Sequence, residues 1–136
     1  MLKRIVFGLY YVIIPTLVQA QGPDVQVLAK TILSWDGAKL PNYPQGQPEI
    51  TILRITIPAG MKLSMHRHPV INAGVLLRGV LSVHTPDGQS LELKKGDQIV
   101  ELVDRWHYGE NTGDEPAEII VFYAGLQGEP ITVLEK

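Results

Sequence analysis

The chain has 136 residues, 45% of them apolar, and it contains no cysteine. This length and composition suit one ordinary domain. Twelve basic residues against 14 acidic ones give a net charge of −2, so the chain lacks the basic surplus that nucleic-acid binding requires. The absence of cysteine excludes disulfides, thiolate metal sites and cysteine nucleophiles. Any metal must therefore be held by nitrogen and oxygen ligands.

Residues 1–20 have the pattern of a secretory signal peptide. Lys3 and Arg4 form a basic start, an apolar run follows over residues 5–18, and Ala20 ends a segment suited to cleavage. An uncleaved membrane anchor is the alternative, but the run is shorter than the roughly 18–20 apolar residues of a membrane span. We therefore expect cleavage after Ala20, a periplasmic or secreted protein, and no stable membrane anchor after cleavage.

The next segment, residues 21–48, is predicted to hold an N-terminal strand and an irregular loop. Loosely alternating β-branched residues predict the strand over Val25–Trp35. Three prolines and a glycine predict the loop over residues 41–48. Tyr43 is a candidate pocket residue if this loop folds over the mouth of the domain. The alternative is that the loop lies along the outer sheet.

Short strands dominate residues 49–136. The strongest is Ile50–Ile57, where the apolar phase changes along the strand, and we expect one extra residue in a β-bulge to cause the change. Further strands are predicted over Val75–Thr85, Leu91–Leu93, Gln98–Leu102, Glu118–Leu126 and Ile131–Leu134. So many short strands in a chain of this size indicate an all-β sandwich or small barrel.

Two separate segments carry residues suited to metal binding. His66 and His68 are two positions apart, so in a strand they share one face and Arg67 takes the other. Two imidazoles on one strand face can hold an ion if a third ligand arrives from a neighbouring strand, and His107 is the candidate. A pair of histidines at this spacing is a weak signal when it stands alone.

Taken together, the two segments resemble the paired motifs of the cupin superfamily, GxxxxxHxHxxxExxxxxxG and GxxxxxPxGxxHxxxN. The positions that fit are Gly60, His66, His68 and Gly79 in the first motif and Gly96, His107 and Asn111 in the second. The resemblance implies a double-stranded β-helix, or jelly-roll barrel, with three histidines inside it near the mouth. It also implies a glutamate from the first motif as fourth metal ligand, and that a homodimer is common.

Three positions depart from the motifs: Asn72 replaces the glutamate, Leu102 the proline and Asp104 a glycine. An amide oxygen is a neutral and weaker ligand than a carboxylate, so three imidazoles and Asn72 would leave a divalent ion with its full charge. Glu101 could compensate if its strand turns it inward, or it could face solvent. The alternative to a weaker site is a barrel that has lost its metal and binds an organic ligand directly.

The other polar residues near these segments have less certain roles. Arg67 and Arg105 lie near the predicted site, and one of them could clamp a substrate carboxylate. Trp106 should face the opposite side of the strand from His107 and serve packing. His84 precedes a turn and is expected to be a solvated strand end.

Two functions from different classes remain open. The first is an exported metalloenzyme of oxygenase type, acting on a small organic molecule, with Fe, Cu, Zn, Ni or Mn held by His66, His68, His107 and Asn72. The second is a noncatalytic extracytoplasmic module that binds a small molecule, with or without metal. Fold alone cannot choose between them.

Overall fold

A computed structural model describes residues 22–136, so the predicted signal peptide lies outside the described residues. The described part is all β. Its strands are β1 (Pro48–Ile57), β2 (His66–Arg67), β3 (Ile71–Arg78), β4 (Val80–His84), β5 (Ser90–Lys94), β6 (Gln98–Val100), β7 (Tyr108–Glu110), β8 (Ala117–Leu126) and β9 (Val133–Leu134). No helix in this part of the chain is long and apolar enough to cross a membrane.

Two antiparallel sheets enclose the interior of the domain. One has the strand order β1-β8-β3-β6, the other has the order β5-β4-β7, and β2 pairs separately with β9. Alternate side chains on these strands turn inward, because successive residues of a strand point to opposite faces. The core includes Ile57, Leu76, Leu81, Val83, Ile99, Ile119 and Val121. The predicted all-β jelly-roll fold is confirmed.

The bulge predicted within Ile50–Ile57 is wrong. β1 pairs with β8 without a shift over its whole length, and the irregularity occurs instead between Leu76 and Arg78, where β3 pairs with β8. The phase change arises because Ile50 and Ile52 face outward, where they are 63% and 55% exposed. An apolar patch therefore lies on the outer face of the large sheet.

The strand predicted over Val75–Thr85 is two strands, because the chain passes between sheets at Gly79. This residue separates β3 from β4 and has a φ of 73°. A side chain at this position would be strained by the left-handed backbone. It would also collide with β8, since an added Cβ would lie 2.9 Å from the Ala117 Cα and from the Pro116 carbonyl oxygen. This explains why the first motif has glycine here.

The strand predicted over Val25–Trp35 is also wrong. Every residue from Gly22 to Leu33 is exposed, and the segment makes only an isolated bridge between Leu33 and Lys39. Trp35 joins the domain by donating its backbone N–H to the Val100 carbonyl at 2.9 Å. β-branched residues favour a strand only where a neighbouring strand supplies hydrogen bonds and packing, and the described structure pairs no strand with residues 25–31.

Substitution of Gly79 tests the sheet-to-sheet passage. We expect Gly79→Ala to lower the free energy of unfolding by more than Gly88→Ala. Gly88 also has a positive φ, 89°, but an added Cβ there meets nothing within 4 Å. The control should cost about 1–2 kcal/mol for the left-handed backbone alone, and the collision at Gly79 should add roughly 1–3 kcal/mol. Chemical denaturation measures both, and equal losses would contradict the steric explanation.

Candidate metal centre

Three histidines from separate segments meet at one point inside the domain. His66 in β2 is paired with His107 by reciprocal backbone hydrogen bonds, each 2.9 Å long. His68 bridges to Val103 just beyond the end of β2. The ring centroids are 4.6–5.1 Å apart, and one ligand nitrogen from each ring lies within 4.8 Å of the other two. The convergence expected from the spacing is present.

Backbone carbonyls determine which nitrogen of each ring is free. The Nδ1 atoms of His66, His68 and His107 lie 2.7, 2.9 and 2.9 Å from the carbonyl oxygens of Ser64, Ile131 and Arg105, respectively. A carbonyl oxygen can only accept a hydrogen bond, so each Nδ1 carries the proton. In the neutral ring each Nε2 then keeps its lone pair. This is the arrangement of imidazoles that bind a metal through Nε2.

Burial keeps two of these rings neutral. Desolvation lowers the pKa of His68 to about 4; the hydrogen bond to the Ile131 carbonyl opposes this, and the neighbouring imidazoles add to the lowering. Desolvation likewise lowers the pKa of His107 to about 4, opposed by its bond to the Arg105 carbonyl. Only the neutral form of a ring can donate a lone pair to a metal, so the low pKa values favour metal binding at neutral pH.

Glu101 is turned inward beside the histidines. Its Oε2 lies 3.4 Å from the Nε2 of His107, yet both atoms are buried and neither has a hydrogen-bond partner among the described residues. Burial raises the pKa of Glu101 to about 7, against the lowering effect of a backbone hydrogen bond at Leu102. A carboxylate facing an imidazole lone pair is unfavourable without a proton or a cation between them. The pair of atoms therefore suits a cation.

Asn72, the predicted fourth ligand, lies in β3, beside Glu101, which directly follows β6. The Glu101 backbone N–H donates to the Asn72 carbonyl oxygen at 3.1 Å. The side-chain amide of Asn72 is fully buried and donates to the Val70 carbonyl at 3.2 Å, while its Oδ1 has no hydrogen-bond partner in the described structure. Asn72 does not line the cavity next to the histidines, whereas Glu101 does. Its coordination of a metal stays a prediction.

The histidines and Glu101 form the polar end of a cavity of about 360 Å³ between the two sheets. Most of the wall is apolar. It is formed by Leu53, Ile55, Ile57, Met61, Leu63, Leu81, Val83, Ile119, Val121 and Leu134. Tyr123 also lines the cavity, and burial, with a smaller effect of the Glu101 charge, raises its pKa to about 12. A concave, mostly apolar space with a few convergent polar groups is typical of small-molecule sites.

The sequence model of the Cupin domain family matches residues 53–123, which is more than half of the chain and includes all three histidines. The chain belongs to the cupin domain family. No curated protein matches it. The family assignment therefore rests on the sequence model, and the solved structures support the fold.

Three solved structures resemble this cupin at low identity. A Klebsiella pneumoniae protein with a double-stranded β-helix domain is 19% identical, with a TM-score of 0.55, covering 68% of this chain and 88% of that one. An oxalate oxidase with bound glycolate is 22% identical (TM-score 0.53, 62% and 45% covered). A Lactobacillus farciminis oxalate decarboxylase is 20% identical (TM-score 0.54, 62% and 26% covered). This cupin thus spans less than half of either oxalate enzyme.

Arg105 and Tyr43, two predicted pocket residues, lie elsewhere in this cupin. Arg105 forms an ion pair with Asp36, whose side chain is buried, on the outside of the histidine cluster. Tyr43 is 75% exposed and does not contribute to the cavity wall. The loop around it is exposed throughout residues 41–48. None of its apolar side chains is buried against the rest of the domain, so the loop does not close the mouth of the cavity.

Arg67 and His84, the other residues considered from the sequence, make contacts outside the histidine cluster. Arg67 faces away from the cavity, as expected, where it pairs with Asp104 and lies over the Trp106 ring. His84 stacks on Tyr108, with ring centroids 5.0 Å apart, and is not part of the histidine cluster. Neither arginine is therefore available to clamp a substrate carboxylate in the cavity.

The structure shows the roles of two positions of the second motif, Asp104 and Asn111. Asp104, at the place of a motif glycine, has a φ of 55°, which short polar side chains tolerate better than most. Asn111 is fully buried, and its side-chain amide donates to the carbonyl oxygens of Ile57, Pro58 and Glu115. It therefore holds loops together and does not belong to the metal site.

The backbone carbonyls that accept hydrogen bonds from the three histidines were not predicted from the sequence. The Ile131 carbonyl holds His68 from a segment 63 residues away, and the Thr132 hydroxyl lies 3.2 Å from the same Nδ1. Every residue has a backbone carbonyl, so no side-chain pattern marks the one that a folded chain will use. The sequence carries no signal from which these partners could have been found.

Proposed function

We propose that this cupin binds a divalent transition metal through His66, His68 and His107 and acts on a small organic molecule in the adjoining cavity, with oxygenase-type chemistry. The observation that carries the proposal is the set of three Nε2 lone pairs at the cavity floor. Each is oriented by an Nδ1–H bond to a backbone carbonyl. Two of the three rings, His68 and His107, are also buried, and His66 lies beside them.

A metal at this site would supply open coordination positions for substrate, O₂ or water and would polarise the group that binds there. The protein supplies the rest. The backbone carbonyls keep the imidazoles in the metal-binding tautomer. The apolar walls would cover the apolar part of a bound molecule, and the water displaced by that molecule would no longer weaken electrostatic interactions at the floor. Iron, copper, zinc, nickel and manganese all accept a nitrogen and oxygen donor set of this kind, and imidazoles favour copper and zinc in affinity.

We assign the fourth protein ligand to Glu101 in preference to Asn72. Two ligand atoms at about 2.0–2.2 Å from a tetrahedral metal are roughly 3.3–3.5 Å apart, and the Glu101 Oε2 lies 3.4 Å from the His107 Nε2. The compact group of potential ligand atoms consists of the three imidazole nitrogens and does not include Glu101, whose carboxylate lies next to His107. As a ligand, Glu101 would give the metal site the negative charge that an amide at position 72 does not provide.

The second candidate is a noncatalytic binding module. The size and apolar lining of the cavity favour it, because these features bind an organic molecule whether or not the ligand reacts. In this case the ligand would be held without chemical conversion, with or without a metal at the histidines. Because a binding module could also hold a metal there, metal binding alone does not distinguish the two candidates. Turnover of a bound ligand by the metal-loaded protein would distinguish them.

The metal site is tested by titrating chelator-stripped protein, prepared without a polyhistidine tag, with Zn²⁺ and Cu²⁺. We expect one ion per chain. His66→Ala, His68→Ala and His107→Ala should each weaken binding by at least about 100-fold, since even outer-shell partners contribute about 10–100-fold. His84→Ala is the matched control and should bind as the wild type does, because His84 lies outside the cluster. Retention of wild-type affinity in all three variants would refute the site.

The same titration separates the two candidate fourth ligands. Glu101→Gln preserves the shape of the side chain and removes its charge, so we expect about 10–100-fold weaker binding. Asn72→Ala should change the affinity by less than about threefold once thermal melting has shown that the variant is folded. The reverse order of effects would assign the fourth ligand to Asn72.

We also propose that the protein is exported and cleaved after Ala20, on the strength of the basic start and the apolar run over residues 5–18. Mass spectrometry of the protein from a periplasmic fraction should give a chain that begins at Gln21. Recovery of the full-length chain from the membrane fraction would instead support an uncleaved anchor.

A homodimer joined through the outer face of the large sheet is a further proposal. Ile52 lies opposite Phe122 on this face, and both side chains are exposed. An exposed apolar patch of this kind is typical of a protein interface. Sedimentation velocity should show a dimer for the wild type and a monomer for Ile52→Lys. A wild-type monomer at micromolar concentrations would exclude this proposal.

A further inference from the structure

Beyond the polar floor, the strands that form the cavity wall contribute mainly apolar side chains. β1 and β8 contribute from one sheet and β4 from the other. The side chains concerned are Leu53, Ile55, Ile57, Leu81, Val83, Ile119 and Val121. A ligand that fills this space must bury an apolar surface against it, because a polar group there would lose its hydrogen bonds to water without replacement.

The lining of the cavity contains very few charged side chains. Lys62 is the only cationic side chain among the described lining residues, and its Nζ lies over the Tyr108 ring, 4.0 Å from the ring centroid. Glu101 is the only carboxylate in that lining. Arg67 and Arg105 are both paired with aspartates outside the cavity. The Lys62 ammonium group is held over Tyr108, which does not line the cavity, so a negative group on the part of a ligand away from the histidines would find no cation directed into this space.

The volume of the cavity limits the size of the ligand. An apolar cavity of about 150 Å³ accommodates benzene, and the space here is about 360 Å³. By this scale the cavity takes a molecule of roughly 8–14 non-hydrogen atoms. A dicarboxylate of two to four carbons would leave most of the apolar wall in contact with water or empty space.

We infer that this cavity selects molecules with a single oxygen-bearing polar end and an apolar body, and that it discriminates against molecules with a second, distal carboxylate. The polar end lies at His66, His68 and His107, and the apolar body lies between β1, β4 and β8. The position of the polar end rests on the proposed metal-binding function. The preference for an apolar body rests on the cavity walls alone.

A matched pair of probes tests this preference. 4-Propylphenol has one hydroxyl and an apolar tail, whereas 3-(4-hydroxyphenyl)propanoate has the same skeleton with a carboxylate in place of the terminal methyl group. We expect 4-propylphenol to bind at least about tenfold more tightly by isothermal titration calorimetry, because the second probe must bury an unpaired charge. Oxalate should not bind to the metal-free protein.

A charge placed in the wall should reverse the preference. Ile55 faces the cavity and is half-buried, so Ile55→Lys places an ammonium group at the apolar wall. This variant should bind 3-(4-hydroxyphenyl)propanoate more tightly than 4-propylphenol. Thr56→Lys, on the same strand but on its exposed outer face, is the matched control and should keep the wild-type preference. If Ile55→Lys fails to fold, the comparison of the two probes on the wild type still decides.

Measurements on zinc-loaded and metal-free protein separate this inference from the proposed function. Tighter binding of 4-propylphenol to the metal-free protein supports the inference even where no metal binds. Equal or tighter binding of oxalate or of 3-(4-hydroxyphenyl)propanoate to the metal-free protein overturns the inference, even where zinc binds stoichiometrically to the three histidines.

Discussion

Three hydrogen bonds from imidazole to backbone carbonyl determine the character of the candidate metal centre. Each bond holds the proton of its ring on Nδ1 and leaves the Nε2 lone pair free. The carbonyl acceptors come from three places: Ser64, Arg105 and Ile131. The centre therefore depends on the positions of the loops around it and on β9, which pairs with β2. A small shift of these segments would release a ring to rotate without changing any residue of the motif.

The apolar walls and the polar floor of the cavity come from different elements of the fold. β1, β4 and β8 supply apolar side chains, and β2 with the segments after β2 and β6 supplies the polar floor. The arginines that flank the site in sequence point outward to aspartates, so the interior keeps little charge besides Glu101. This separation of a polar floor from apolar walls is what gives the cavity a preference in orientation as well as in size.

The carboxylate that lies beside the histidines does not come from the glutamate position of the family motif. Position 72, where the motif has glutamate, holds an asparagine, and Glu101 comes directly after β6, with its backbone N–H bonded to the Asn72 carbonyl oxygen. Both side chains are buried. Glu101 thus places a carboxylate 3.4 Å from the His107 Nε2, and it would supply a negatively charged ligand to a metal held by the histidines.

The sequence by itself determined the family, the all-β fold and the three histidines. Strand periodicity is a local property, so the spacing of His66 and His68 was enough to place both rings on one face. The motif glycine at position 79 is likewise visible in the sequence, but the strand break that it makes became evident only in the fold. Tertiary structure decided the rest. The inward turn of Glu101, the outward pairing of Arg105, the exposure of Ile50 and Ile52, and the lack of a strand at Val25–Trp35 all depend on which strand lies alongside. Pairing partners are set by contacts between distant parts of the chain, and local sequence does not specify them.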